Sequence, residues 1–165
     1  MGLKNIFEFV TADRIIFGIG AVEKIRSIVK DFGNNALLVC GGGSVPIDKV
    51  SDLLEESDVS FEVFRVEDEP EIEDINAGLL MARASHCQFV IGFGGGSVLD
   101  TGKAISAMMT NPGDIMDYLE VIGAGRKIEN PAARMIAIPT TAGTGTEVTR
   151  NAVISSPEHH VKVSM

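Results

Sequence analysis

An apolar run that breaks into glycines and restarts as a helix limits what this chain can become. Phe89-Val90-Ile91 carries β-type residues, Gly92, Gly94, Gly95 and Gly96 follow, and from Ser97 the pattern is helical to Met109. Glycine lets a backbone come close to a ligand, and the first N–H groups of a helix are unpaired and carry partial positive charge. Ser97 and Asp100 stand in S-x-x-D spacing. This predicts a capping box, with Ser97 as N-cap and Asp100 reaching back. The stretch reads as a phosphate cradle for the pyrophosphate of a nucleotide. The plain alternative is a tight strand-to-helix turn without a ligand. Gly92-x-Gly94-x-x-Ser97 only approximates the dinucleotide fingerprint, and the P-loop pattern fails because Ala104 follows Lys103 where Ser or Thr is required.

The rest of the chain is that of a water-soluble globular domain. Its 165 residues suffice for one domain with a real core, and 45% are hydrophobic against 22% charged. A net charge of −9 argues against a general nucleic-acid surface and against anionic membranes. It leaves room for one small anion held by a local nest of N–H groups. No run of 18 apolar residues exists, so no transmembrane span is expected. The start, MGLKNIFEFVTADR, has no apolar signal region, and Ile6 breaks the myristoylation pattern. Cys40 and Cys87 are isolated and adjoin apolar runs, so buried free thiols and a reducing, cytoplasmic location are expected.

In order, Phe7–Val10 and Arg14–Phe17 suggest two short strands. Val22, Ile25, Val29 and Phe32 mark one face of a helix that Gly33 stops. Ala36–Cys40 suits a strand buried on both faces and runs into Gly41-Gly42-Gly43-Ser44. A helix is predicted from Pro46 to about Glu56, a strand over Ser60–Val66 and a helix whose face is Ile72, Ile75, Leu79 and Ala82. The acidic run Glu67–Asp74 tempts a metal reading, but a solvated loop and helix start explain it. Asn111-Pro112 ends the helix after the glycine turn, and Asp114–Leu119 suggests a short helix. Met135–Ile138 reads as another buried strand, followed by Pro139–Thr149 with five hydroxyls and two glycines. Asn151–Ser155 and His160–Ser164 predict a hairpin around Ser156-Pro157-Glu158. Alternating strands and helices imply an α/β fold, a Rossmann-like parallel sheet with flanking helices and a small β-hairpin. Several small-residue loops at one sheet edge strengthen a nucleotide site.

With both loops in view, the chain resembles the N-terminal nucleotide-binding domain of the iron-containing (group III) alcohol dehydrogenases. Gly94-Gly95-Gly96-Ser97-Val98-Leu99-Asp100 matches the family's GGGSxxD, and Pro139–Thr149 matches PTTAGTGSEVT with Thr146 for the usual Ser. Ile16-Phe17-Gly18-x-Gly20 resembles the family's opening. The resemblance implies that residues 1–165 form a dinucleotide-binding domain. It implies that Gly95, Gly96 and Ser97 bind pyrophosphate, that Gly94 belongs to the same cofactor-binding turn, and that Thr140, Thr141 and Thr144 line the adenosine and pyrophosphate path. Asn151 and Lys162 match positions near the nicotinamide and its ribose, and Asp100 could approach the nicotinamide. For Lys162 the bland alternative is a solvated strand lysine.

The loop after the first buried strand bears on the choice of cofactor. An acid there would bind both ribose hydroxyls of NAD and repel a 2′-phosphate. Gly41, Gly42 and Ser44 hold no carboxylate, which implies NADP(H) preferred over NAD(H); Lys49 is a nearby cation. The family binds a divalent metal, Fe or Zn, through one Asp and three His beyond the region matched here. His86, His159 and His160 show no metal-ligand spacing and are expected at the surface. The resemblance thus implies an NAD(P)-dependent alcohol dehydrogenase or aldehyde reductase, here its cofactor-binding half. Hydride would pass between nicotinamide and a metal-bound alcohol or aldehyde in the complete enzyme, and a homodimer is a possible assembly. A nucleotide-binding module without catalysis, a structural α/β domain, and relatives such as glycerol dehydrogenase, dehydroquinate synthase or maleylacetate reductase stand as alternatives.

Overall fold

The computed structural model describes residues 10–42 and 46–165. Four parallel strands form the main sheet: β1 (Asn35–Gly41), β2 (Ser60–Val66), β3 (Phe89–Gly94) and β4 (Arg134–Pro139), in the order β2-β1-β3-β4. Ahead of β1, 3-10 turns at Ala21–Lys24 and Val29–Asp31 flank the short α1 (Ile25–Ile28). The connecting helices are α2 (Asp48–Glu55), α3 (Ile72–Ala84) and α4 (Gly96–Thr110). An antiparallel hairpin, β5 (Val153–Ser156) and β6 (Val161–Ser164), closes the described chain.

The topology explains why helices cover both faces. The chain steps from β1 outward to β2, then crosses back past β1 to β3 and on to β4. Right-handed crossovers taken in opposite directions put their helices on opposite faces. Side-chain alternation along the strands agrees. Leu37, Val39 and Val90 pack with Ile75, Ala82, Ala104 and Ile105 of α3 and α4. Ala36, Leu38, Phe89 and Ile91 pack instead with Ile25, Val29, Val50, Leu53 and Leu54 of the α1–α2 face. Each fully buried Leu or Ile contributes roughly 1.5–3 kcal/mol relative to exposure. Strands buried on both faces therefore read as continuous apolar runs.

Several expectations change. Arg14–Phe17 is irregular rather than a strand, with Ile15 63% and Phe17 100% exposed. Among the described residues no strand pairs with it, so its alternation has no sheet face to fill. Phe7–Val10 lies outside the described residues except Val10, which is exposed and irregular. The β4 strand is the sheet edge and its apolar residues are only half-buried, where full burial was expected. Asp114–Leu119 contains a 3-10 turn at Ile115–Asp117. The hairpin turn falls at residues 157–160, slightly later than predicted.

Cys40 and Cys87 are buried free thiols, and His86, His159 and His160 are exposed. The acidic run forms a loop and helix start, in which Asp74 Oδ2 accepts from the Glu71 N–H at 3.1 Å. Among the described residues, no helix is long and apolar enough to cross a membrane.

Candidate functional site

The strand order reverses between β1 and β3, and ligands of open α/β sheets bind outside the carboxyl ends at such a point. Register brings the glycine-rich ends together there. Cys40 lies opposite Phe93 and Gly94 opposite Pro139. The loops after β1, β3 and β4 therefore leave the sheet side by side, although they come from distant parts of the chain.

The turn after β3 is tight for a steric reason. A methyl group built on Gly94 would stand 2.5 Å from Val98 Cγ2 and 2.7 Å from its Cβ, so α4 starts against the strand end. Gly95 is the N-cap, with no side-chain cap bond, and its carbonyl accepts from the Leu99 N–H at 3.1 Å. Helix α4 thus begins earlier than the spacing predicted. Ser97 lies inside the first turn rather than at the cap, and Asp100 does not reach back. Asp100 Oδ1 instead pairs with Lys103 Nζ at 2.9 Å. With no side chain over the cap, the leading N–H groups of a 15-residue helix face the crevice.

The threonine loop folds over this turn. The Thr140 N–H donates to the Gly94 carbonyl at 2.9 Å. A methyl built on Gly95 would lie 3.4 Å from Thr141 Oγ1, and one on Gly96 3.5 Å from both Thr144 Cγ2 and Thr146 Oγ1. Thr140, Thr141 and Thr144 are exposed, so their hydroxyls are open to a ligand, whereas Thr146 is buried.

A cavity of about 190 Å3 opens beside the α4 start. Gly96, Ser97 and Asp100 form one wall, Glu69 and Pro70 a second, and Val153, Ser155 and Lys162 of the hairpin a third. Lys162 Nζ pairs with Glu69 Oε1 across it, and Ser155 Oγ approaches Glu69 Oε2 at 3.4 Å. The Lys162 hydrogen bond holds the Glu69 carboxyl below its usual range. Asn151 is exposed, its side-chain amide 3.5 Å from Ser164 Oγ. A larger cavity, about 340 Å3 among Ala82, Arg83, His86, Cys87 and Met109, lies by the C-terminal ends of α3 and α4. That edge is opposite the glycine loops.

At the β1 end the structure supplies what the sequence concealed. Gly41 ends β1 opposite Val66 of β2, and the Gly42 N–H donates to the Val66 carbonyl at 2.7 Å. Glu67 follows directly, and a methyl on Gly42 would collide with its carboxylate. A carboxylate therefore does stand at this loop, delivered from β2, and the Gly42 N–H is already bonded within the sheet. Ser44 lies outside the described residues. Lys49 is drawn to Glu23 in an exposed ion pair, away from the role of a free loop cation.

The parallel sheet, its order reversal and the helices on both faces define the class: a Rossmann-like α/β fold. The family model described as iron-containing alcohol dehydrogenase matches residues 12–165, and the chain belongs to that family. It is 34% identical over 155 residues to alcohol dehydrogenase 4 of Schizosaccharomyces pombe, covering 91% of this chain and 36% of that protein. A crystal structure of 1,3-propanediol oxidoreductase superposes with a TM-score of 0.88 at 30% identity, over 97% of this chain and 42% of that one. Sulfoacetaldehyde reductase from Bifidobacterium kashiwanohense, in complex with NAD+, gives 0.85 at 28% identity, over 98% and 43%. The chain thus spans about two fifths of the length of these relatives.

Proposed function

We propose that this chain is the dinucleotide-binding domain of an alcohol dehydrogenase or aldehyde reductase. The observation that carries it is the convergence of the Gly94–Ser97 turn and the threonine loop over one uncapped helix start. A bound nicotinamide dinucleotide would supply the hydride donor or acceptor. The leading N–H groups of α4, at Gly96 and Ser97, bind the pyrophosphate, and Gly94 and Gly95 keep the strand end close to it. Thr140, Thr141 and Thr144 donate hydroxyls along the adenosine and pyrophosphate path. Asn151, Lys162 and Asp100 border the nicotinamide half, and Gly41 and Gly42 the adenosine ribose, a role the sequence also assigns to Ser44. The substrate class is a small alcohol or aldehyde. Among the described residues no group of three or more His, Cys, Asp or Glu stands together as metal ligands.

For the cofactor our reading remains NADP(H) over NAD(H), carried by the glycine and serine loop and opposed by Glu67. Glu67 is exposed and can rotate off Gly42. Calorimetric titration of the chain with NADPH and NADH, before and after Glu67→Gln, tests both levels. We expect both to bind, NADPH more tightly, and the Gln variant to gain several-fold, about 3- to 10-fold, for NADPH alone, as removal of one screened charge implies. Equal affinities would sink the preference. A folded chain that binds neither dinucleotide would sink the dinucleotide reading.

A further inference from the structure

Lys103 is a lysine that the proposed site does not use, and it is poorly exposed for a lysine. Its side chain retains 16% of its accessible surface and that of Asp100 13%. The ammonium lies 2.9 Å from Asp100 Oδ1, 2.7 Å from the Asn151 carbonyl, 3.0 Å from the Thr146 carbonyl and 3.0 Å from Thr149 Oγ1. The Thr149 carbonyl stands at 3.5 Å. An ammonium has three protons and no acceptor, so every one is committed within this cage. Three oxygens belong to the backbone of residues 146–151, and the Thr146 carbonyl also accepts from the Thr149 N–H and hydroxyl, so the loop and the ammonium share one network. Asp100 neutralises the charge from the same helix.

We infer that Lys103 is a positioning residue for the nicotinamide half of the dinucleotide. It pins the far end of the threonine loop, and Asn151 with it, to the helix whose start forms the phosphate cradle. The near end of the loop needs no such pin. It is held by the continuation of β4 and by the Thr140 N–H on the Gly94 carbonyl. Lys103 therefore acts on one half of the site. Without it, Asn151 and the hairpin entrance lose their fixed distance from α4, while Thr141 and Thr144 stay over Gly95 and Gly96. The inference rests on the dinucleotide reading above.

Lys103→Met keeps the aliphatic stem and removes the charge. The test compares NADPH with ADP by calorimetry on wild-type and variant chains, with a thermal melt of each. ADP spans only the half that Lys103 does not pin. Charge-assisted hydrogen bonds of this kind imply a loss of about tenfold or more in NADPH affinity, and less than about twofold for ADP. An unchanged NADPH affinity, or equal losses for both ligands, would overturn the assignment, since equal loss marks general destabilisation. Should Lys103→Met not fold, Thr149→Val removes one acceptor of the ammonium, together with the hydroxyl's own bond to the Thr146 carbonyl, and leaves the cation. About threefold loss for NADPH with ADP unchanged is then expected, and equal effects on the two would overturn it. A wild-type chain that binds neither ligand defeats the dinucleotide reading, whereas wild-type binding with an indifferent variant defeats only the role of Lys103.

Discussion

At the scale of single residues, the crevice depends on atoms that are missing. Gly94 is fully enclosed where β3 meets α4, and Val98, 4% exposed, is β-branched and helical. Such a side chain has one strongly preferred rotamer and cannot turn away from an added methyl. Gly94→Ala should therefore cost about 1–3 kcal/mol of stability, the usual cost of overpacking, read as a lower urea midpoint at constant slope. An unshifted midpoint would mean that α4 moves off the strand without penalty. The glycine pattern made this close approach legible in the chain. Ser97 was legible as part of the helix start but not in its role, because the cap position depends on where the strand releases the backbone. Lys103 was visible only as a failed P-loop lysine, since its loop partners lie 43 to 48 residues away.

Among elements, the hairpin combines core burial, through Ile154 and Val163, with polar docking at the surface. It docks on the loop between β2 and α3 through the Ser155 N–H on the Pro70 carbonyl, at 2.7 Å, and through Lys162 on Glu69. Both ionic partners are more than half exposed, so the pair adds little to global stability and acts locally. Its pH dependence has a definite sign. The Lys162 hydrogen bond depresses the Glu69 carboxyl in the folded chain. The docking contribution is therefore complete above the unfolded pKa and disappears as pH falls through the depressed folded value. Carboxyl NMR should show Glu69 titrating below ordinary glutamates, moving toward them in Lys162→Met and in high salt. An ordinary midpoint in the wild-type chain would mean the pair does not form in solution. The hairpin itself was readable from two short alternating runs around Pro157. Its seat on an acidic loop was not, because Glu69 and Lys162 are 93 residues apart.

For the whole molecule, burial of the Cys40 thiol offers a probe of global opening. Cys40 is 0% and Cys87 9% exposed, and burial raises both thiols above their ordinary range. The thiolate is the reactive form, so Cys40 is doubly protected in the folded chain, whereas Cys87 borders the cavity at the C-terminal ends of α3 and α4 and is less shielded. Alkylation of Cys40 by iodoacetamide at pH 8 should run more than about a hundredfold slower in buffer than in denaturant, given the usual stability of a folded domain. Fast labelling of Cys40 in buffer would show that the sheet opens locally at β1. What the sequence by itself determined is local and periodic. Apolar runs became strands, 3.6-residue faces became α3 and α4, and glycines became the turn at the site, because each such preference is settled by neighbours a few residues away. Only the tertiary structure decided which loops meet. Strand order and register put Glu67 over Gly42, the threonine loop over Gly95 and Gly96, and Lys103 beneath Asn151, and these contacts exist only once the parallel sheet has paired distant segments.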